Sequence, residues 1–435
     1  MARFISFQRI KFILKQFREI LWLRPLVLSL AMVGLAFVVK LTDGTGLDRI
    51  VPEINRESIE TLLTIMASSM LVIATLAVGA MVSAYASASS TATPRTFRLV
   101  IADDLTQNAL STFLGAFIFS IVGLTSVKND FYGKTGVFVV FALTVLVFGT
   151  VILTFVRWVD RIARLGRLGM TIDMVEKAAA RSLQRRGEAL YLHGVPVKTT
   201  RLTGKPVFAC SAGYIQQVDV ASLQNWAEKA GGRVVVKALS GDFVAPGDVL
   251  AYARAEADGE SEVDYGPVAQ SFVVRNERQF DDDPRFGLVV LSEIAGRALS
   301  PAVNDPGTAV DILGALVRLF ILWNECGPAA AKAGPKYDLV EVPAISERDM
   351  FDDAFTAIAR DGAGTVEVAV RLQEALRILA QIGNVPMRKA ALLHAGTAFK
   401  RSEKAMTLEE DLAAVREAAG PAENPEEDIQ GGEVQ

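Results

Sequence analysis

Four long stretches of the chain carry no charged side chain. They run from Pro25 to Val39, from Thr61 to Pro94, from Leu105 to Val127 and from Thr135 to Val156. A helix needs about 20 apolar residues to cross roughly 30 Å of hydrocarbon. All but the first stretch exceed that length, and the apolar residues 21–23 extend the first. The pattern therefore predicts four transmembrane helices within residues 21–156.

The basic residues of the connections predict the orientation. Six Lys and Arg precede the first span, two lie between the second and third, and eight fall between Arg157 and Arg186, whereas the other two connections carry two each. Positive charge accumulates on the cytoplasmic side of membrane proteins. We therefore expect both termini in the cytoplasm, at the inner membrane of a bacterium. The two cysteines, Cys210 and Cys326, suit a reducing compartment.

Two basic segments flank the spans. Residues 1–20 alternate aromatic and aliphatic side chains with Lys and Arg, a pattern typical of a helix lying in the plane of the membrane. Residues 157–190 continue the fourth span as a basic helix. We expect this second helix to contact lipid headgroups through Arg157, Arg161, Arg164 and Arg167. The lipid bilayer is thus the expected partner, and nucleic acid is not.

The second span carries a stripe of small and hydroxyl-bearing residues. We call Thr75, Gly79, Ser83 and Ser87 the α2 stripe, because they follow one another at intervals of four residues and so share one helix face. Small residues permit close helix packing, and hydroxyls can line a water-filled path. Both interpretations stay open. No charged residue lies near the middle of any span, which argues against a proton pump or a voltage sensor.

The C-terminal half changes to short strands and then to helices. Strands are predicted from Pro206 to Cys210, from Gly213 to Val218, from Arg233 to Ala238 and from Val249 to Ala253. A helix that begins at Val220, with Asp219 as its cap, is predicted between the second and third of these strands. The apolar run from Gly307 to Trp323 indicates a core helix or an oligomer interface rather than a fifth span, because Asp311 and Arg318 interrupt it.

Composition and domain organisation agree with this division. The chain has 435 residues, of which 51% are hydrophobic and 22% charged, too apolar for an ordinary cytosolic protein. We predict a membrane α-helical protein of four transmembrane helices plus a cytoplasmic α+β domain, in which a small β-rich module precedes a helical region. The predicted segments are 1–20 (in-plane helix), 21–156 (four spans), 157–190 (basic helix), 191–270 (β-rich module), 271–419 (helical region) and 420–435 (acidic disordered tail).

One polar constellation stands out in the helical region. The acidic residues Asp281, Asp282 and Asp283 could bind a hard cation, or Asp283 could cap the helix opened by Pro284. Downstream, Ser300 and Asp305 each precede a proline, as helix caps do. A buried ion pair between Arg297 and Asp305 could join two helices. The spacing of Cys and His indicates no metal site, and no cofactor is expected.

These residues carry a resemblance to a known family. The chain resembles the bacterial predicted membrane proteins of domain of unknown function 2254, although Asp282 stands where the family pattern has Gln. The resemblance implies four N-terminal spans and a cytoplasmic domain, and it supplies no catalytic residue. The residues that carry it, which we call the family cluster, are Asp283, Phe286, Gly287, Arg297, Ser300, Pro301, Asn304, Asp305, Pro306 and Thr308. Further matching stretches are Ala67–Met70, Thr93–Arg95 with Gln107 and Phe113, and Gly213–Gln216.

Three functions are compatible with these patterns. The first is a homo-oligomeric channel or passive pore with a cytoplasmic assembly domain, and its permeant ion or ligand is unknown. The second is a membrane-anchored sensor or scaffold that binds a ligand or a protein. The third is a metal-dependent membrane enzyme at Asp281 to Asp283. It ranks last because the sequence contains no recognisable catalytic constellation.

Overall fold

The computed structural model describes residues 23–43, 51–91, 93–96, 99, 104–164, 167–197, 204–255, 263–330 and 334–420. The predicted in-plane helix (1–20) lies outside these residues, as does the tail from 421 onward. The described chain forms two compact units, with the division between Thr171 and Ile172.

The first unit contains four long apolar helices. They are α1 (Leu23–Lys40), α2 (Arg56–Thr91), α3 (Asp104–Lys128) and α4 (Lys134–Arg164), and a short 3-10 helix (Pro94–Thr96) follows α2. Each of the four is long and apolar enough to cross a membrane. With 36 residues, α2 is roughly 54 Å long and exceeds the hydrocarbon thickness by far.

The first unit has a narrow core and an apolar exterior. Leu63, Phe113 and Trp158 are buried where α2, α3 and α4 meet, and the indole of Trp158 meets the ring of Phe113 edge-on at 6.1 Å. Large apolar side chains such as Val72 and Leu146 are exposed. In a membrane protein such an exterior faces lipid, which is as apolar as the side chains themselves.

The second unit begins within α5 (Leu168–Glu188) and continues into a β-rich module. The predicted basic helix is therefore described as two helices, the end of α4 and α5, with residues 165–166 outside the description. The module contains β1 (Val195–Pro196), β2 (Lys205–Phe208), β3 (Gly213–Val218), α6 (Val220–Lys229), β4 (Arg233–Val236), β5 (Phe243–Val244), β6 (Val249–Arg254), α7 (Gly266–Gln270) and β7 (Phe272–Arg275).

The strands form two sheets. The larger has the order β1-β8-β4-β6-β2, in which β8 is Val340–Val342, and the smaller has the order β5-β3-β7. Strands β2, β3, β4 and β6 and helix α6 are confirmed by the structure, and Asp219 caps α6 by accepting the amide of Ser222 at 3.1 Å.

The β-rich module is not one continuous stretch of sequence. Strand β8 (Val340–Val342) comes from the region predicted to be helical, and it pairs in parallel with both β1 and β4. Strand β7 also extends past residue 270. The predicted boundary between a β-rich module at 191–270 and a helical region at 271–419 is therefore corrected.

The helical region consists of six helices. They are α8 (Phe286–Ala298), α9 (Pro306–Ala330), α10 (Glu347–Asp361), α11 (Val366–Ile382), α12 (Val385–Ala405) and α13 (Glu409–Ala419). The rings of Phe320, Phe351 and Phe355 meet in its core, with centroids 4.4 to 5.6 Å apart.

Helix α9 is the fifth helix that is long and apolar enough to cross a membrane. Its apolar face, with Leu313, Leu316 and Phe320, is fully buried within the second unit. Its opposite face carries Arg318, whose guanidinium binds the carboxylate of Glu176 on α5 with two contacts of 2.7 Å. This packing is that of a core helix, which is one of the two roles predicted from its sequence.

Candidate functional site

The family cluster begins at a buried ion pair. The carboxylate of Asp283 is 2% exposed. It accepts hydrogen bonds from Nε and Nη2 of Arg278 at 2.6 and 3.0 Å, and from the amides of Arg285 and Phe286 at 3.1 Å each. Asp283 therefore caps the start of α8, as one of the two interpretations predicts. Burial raises the pKa of the Asp283 carboxyl, and Arg278 and the two amides oppose that rise.

A glycine turn of the β-rich module closes over this ion pair. Gly241 has a φ of +97°, and a Cβ atom there would lie 2.6 Å from Oδ2 of Asp283. Only glycine leaves room for the carboxylate and adopts this φ without strain. In the sequence, the glycine of this segment is explained by a tight turn alone. The structure shows that the same turn also covers the ion pair between Arg278 and Asp283.

Three further ion pairs surround the start of α8. Arg285 binds Asp353 through Nε at 2.6 Å and Asp349 through Nη1 at 3.3 Å, which connects α8 to α10. Arg185 of α5 binds the carboxylate of Asp281 at 3.2 Å. Sequence reasoning missed these arginines, because nothing in their spacing relates them to the acids.

The acidic triplet does not converge on a common point. Asp281 faces Arg185, Asp283 faces Arg278, and Asp282 is exposed. Within the described part of the chain, no three Asp, Glu, His or Cys side chains are grouped as metal ligands. The described geometry thus gives no support to the cation-binding interpretation.

The junction between α8 and α9 is held by caps. Asp305 accepts the amide of Thr308 at 3.1 Å and its hydroxyl at 2.5 Å, at a helix that begins with Pro306. These bonds lower the pKa of the Asp305 carboxyl. The predicted cap at Asp305 is confirmed.

Two other predictions for this junction are wrong. Ser300 does not cap a helix, because residues 301–303 form a turn and its hydroxyl donates to the carbonyl of Arg297 at 2.7 Å. Arg297 is exposed, so the predicted buried pair with Asp305 does not form. Asn304 has a φ of +49°, the left-handed conformation that Asn tolerates better than most residues.

Helix packing accounts for Phe286 and Gly287 of the family cluster, whereas Pro301 is exposed in the turn after α8. A Cβ atom on Gly287 would lie 2.3 Å from Cβ of Ala179, so α8 crosses α5 at van der Waals contact. The ring of Phe286 packs on Phe280 at 4.7 Å. The family cluster therefore marks the place where α5, α8, α10 and the Gly241 turn are fastened together.

The other family stretches also contribute residues to protein interiors, although Ser68, Pro94 and Arg95 are exposed. Ala67, Met70 and Phe113 belong to the core of the first unit. In the second unit, the buried side chain of Gln216 donates to the carbonyl of Glu277 at 2.7 Å. Each of these residues has a structural role within its own unit.

Unlike the family stretches, most of the α2 stripe lies outside the core of the first unit. Thr75, Gly79 and Ser83 are exposed, whereas Ala74, Ala77 and Met81 of the same helix are buried. Nothing among the described residues lies within 4 Å of a Cβ atom built on Gly79. Thr75, Gly79 and Ser83 therefore do not serve helix packing within the described chain, whereas the fourth residue of the stripe, Ser87, is half-buried. Packing against another molecule and contact with water both stay open.

The basic residues that follow the fourth span are only partly defined. Arg157 and Arg167 are exposed and Arg161 is half-buried, while the side chain of Arg164 lies outside the description. The exposed arginines are free of the unit's core and suit the predicted contact with headgroups.

Arg186 of α5 is an unusual buried cation. It is 7% exposed, its Nε has no hydrogen-bond partner in the described part of the chain, and its Nη2 donates to the carbonyl of Pro343 at 3.3 Å. No described carboxylate pairs with it. Burial lowers its pKa to about 10, so the guanidinium remains charged at neutral pH.

Comparison with known proteins places this chain in a family. Residues 18–378 match the family described as "Predicted membrane protein (DUF2254)". An uncharacterized protein of Mycobacterium tuberculosis strain CDC 1551 / Oshkosh is 26% identical over 321 residues, which cover 70% of this chain and 60% of the relative. An uncharacterized protein of Mycobacterium bovis strain ATCC BAA-935 / AF2122/97 has the same identity and coverage.

These relatives extend beyond the matched region, since the match spans about 60% of their length. No solved structure matches the chain. The family match covers well over half of the sequence and agrees with the apolar helices of the first unit. The chain belongs to the DUF2254 family of predicted membrane proteins.

Proposed function

We propose that this protein forms an oligomeric channel or passive pore in the bacterial inner membrane, with its second unit as a cytoplasmic assembly domain. The observation that carries the proposal is the exposure of the α2 stripe. Thr75, Gly79 and Ser83 lie on a face of α2 that the rest of the described chain leaves uncovered.

The chemistry of the stripe favours a neighbouring subunit or an aqueous path over lipid. Small residues gain little from lipid contact but allow two helices to approach closely. Hydroxyls provide weak dipoles along a permeation path. Four helices of one chain enclose little space, so a path along the stripe requires several subunits around a symmetry axis.

The proposal assigns four of the five apolar helices to the membrane. Helix α9 is left out because its apolar face is already buried against its own unit and its polar face binds Glu176 through Arg318. The distribution of Lys and Arg supports cytoplasmic termini. The exposed cysteine of the β-rich module, Cys210, then lies in the cytosol.

The topology can be tested with native cysteines. In a Cys326→Ala variant, a membrane-impermeant maleimide should label Cys210 only after the cells are lysed. Labelling in intact cells would contradict the assigned orientation.

The pore can be tested by reconstitution. Purified protein should run as a symmetric oligomer and should release ions from liposomes. Gly79→Leu should reduce or alter this flux. Gly149→Leu on α4 is a matched control, because Gly149 is also exposed with nothing within 4 Å of a built Cβ. A monomer that does not leak, or equal fluxes from both variants, would refute the pore.

A second function is favoured by a separate observation. A groove of about 800 Å³ lies between α11, α12 and α13 of the second unit, a volume typical of small-ligand sites, and a ligand bound there would make the second unit a sensor. The two functions are compatible, because a cytoplasmic ligand can control a membrane channel when it binds one conformation more tightly.

A further inference from the structure

Helix α12 turns one face away from the rest of the helical region. Its buried side chains, among them Ala391 and Ala398, lie on the side that packs against α10 and α11. The opposite side carries Lys389, Gly396 and Glu403, and all three are exposed. They follow one another at intervals of seven residues, which is close to two helical turns. The three residues therefore lie on one line along the outer face of α12.

The same face also exposes apolar surface. Leu393 is 45% exposed, and Val385 at the start of the helix is 80% exposed. A Cβ atom built on Gly396 would have nothing within 4 Å among the described residues, so the middle of the face is uncovered. Apolar side chains grouped on one exposed face indicate contact with another molecule.

The charges on this face are complementary to those on a second copy of it. Lys389 lies seven residues before Gly396, and Glu403 lies seven residues after it. When two such helices run antiparallel and cross at Gly396, Lys389 of each copy lies opposite Glu403 of the other. A two-fold contact brings the same surface of both subunits together, so a single contact forms two ion pairs. Neither side chain forms an ion pair with another residue in the described part of the chain.

The residues around the crossing point suit close packing of two helices. Gly396 has no side chain to hold the helices apart, and the distance between packed helix axes, commonly about 8–10 Å, depends on the side chains at the contact. Leu393 of one copy faces Phe399 of the other, because the two lie three residues before and after Gly396. Phe399 is half-buried, so the contact removes apolar surface of both copies from water.

We propose that α12 is a contact between two copies of this chain, whose second units pack antiparallel about Gly396. A second copy fits this face better than an anionic membrane does, because lipid headgroups would repel Glu403. The contact rests on the assembly role proposed above for the second unit, and it does not require that the protein conducts ions. Neither the family match nor the α2 stripe assigns a contact surface to α12.

Cysteine cross-linking tests the crossing point. In full-length protein in detergent that carries Cys210→Ala and Cys326→Ala, Gly396→Cys should form a disulfide between two chains on mild oxidation, because a two-fold axis places the two copies of residue 396 side by side. Lys404→Cys on the same exposed helix is the matched control. Its two copies would lie about 24 Å apart, since each is eight residues from the crossing point. No dimer with Gly396→Cys, or equal dimer yields at both positions, would overturn the proposal.

Charge exchange tests the two ion pairs. In the Gly396→Cys protein, Lys389→Glu alone and Glu403→Lys alone each place like charges opposite each other, and each should slow cross-linking about tenfold or more. The double variant should recover the original rate. Co-expression of the two single variants should recover it as well, because both ion pairs form again in the mixed dimer. Lys177→Glu on α5 makes the same charge change at an exposed position and should leave the rate unchanged.

The alternatives give different results. Were α12 to lie on lipid, charge exchange could not recover cross-linking, because headgroups attract only the lysine, and such a failure would overturn the proposal. The pore is judged separately, by the release of ions from liposomes. A protein that does not leak but cross-links at residue 396 would refute the pore alone, whereas a leaking oligomer that never cross-links there would refute this contact alone.

Discussion

The backbone of Gly241 lies against the carboxylate of Asp283, and a Cβ atom at residue 241 would come within 2.6 Å of Oδ2. This contact joins a turn of the β-rich module to the first residues of α8. The ion pair beneath it therefore depends on a residue without a side chain, about forty positions earlier in the sequence.

Gly241→Ala should destabilise the protein strongly. The substitution combines a strained φ, which costs about 1–3 kcal/mol, with a clash against a carboxylate that Arg278 and two amides hold in place. Gly247→Ala is a close control, because Gly247 has the same φ of +97° and nothing within 4 Å of a built Cβ. Thermal unfolding should reveal a larger loss at 241 than at 247, and equal losses would mean that the contact has no energetic role.

Asp283→Asn should lower the free energy of unfolding by about 3 kcal/mol, because it leaves Arg278 without its counter-charge in the interior. Adding Arg278→Met should recover most of this loss, since Asn still accepts from the amides at the start of α8. Denaturant titration of the two single variants and the double variant gives the coupling energy. Additive losses would indicate that the two side chains do not interact.

The second unit should lose stability as the pH falls below about 6.5. Burial lowers the pKa of His394, and Nε2 of its ring lies 3.1 Å from Asp352, whose carboxylate opposes that shift. Arg401 and Arg348 favour the neutral ring. A histidine with a lowered folded pKa binds protons more readily when unfolded, so its contribution is complete above the unfolded pKa and declines toward lower pH.

Melting temperatures at pH 7.5 and 5.5 test this prediction. The drop between them should be smaller in His394→Gln than in the wild-type protein. His193→Gln removes the other histidine, which is exposed, and should leave the drop unchanged. An identical drop in all three proteins would exclude His394 as its source.

Arg186→Met should stabilise the protein by about 1 kcal/mol or more, because an apolar side chain of similar length replaces a buried charge without a described counter-ion. The neighbouring Arg185→Met removes an exposed pair with Asp281 and should have an effect of about 0–1 kcal/mol in the opposite direction. Measuring the free energy of unfolding of both variants tests these opposite expected effects. A loss at Arg186 would indicate that the guanidinium has a favourable partner in solution.

Local patterns predicted much of this fold. The uncharged runs identified α1 to α4, and alternating residues with turn signals identified β2, β3, β4 and β6. The cap at Asp305 followed from its proline. Such features depend on residues within a few positions of one another, which is the range over which hydrogen bonding and periodicity act.

The features that the local patterns did not predict depend on contacts between residues that are far apart in the sequence. Arg185 and Arg285 meet the carboxylates of Asp281 and Asp353 only after the chain has folded, and β8 is a strand of three residues between two helices. Arg297 and Asp305 were expected to pair by charge alone. The nearby hydroxyl and amide of Thr308 instead occupy the carboxylate of Asp305, because a donor three residues away needs no long loop to be closed.

The position of β8 has a consequence for the order of synthesis. Strands β1 and β4 have no direct pairing in the larger sheet and are bridged by β8, which leaves the ribosome about a hundred residues after β4. The larger sheet therefore cannot be completed until α8 and α9 have been made, because the position of β8 between β1 and β4 stays empty until then. The module and these two helices should thus mature as one cooperative unit during translation rather than as successive domains.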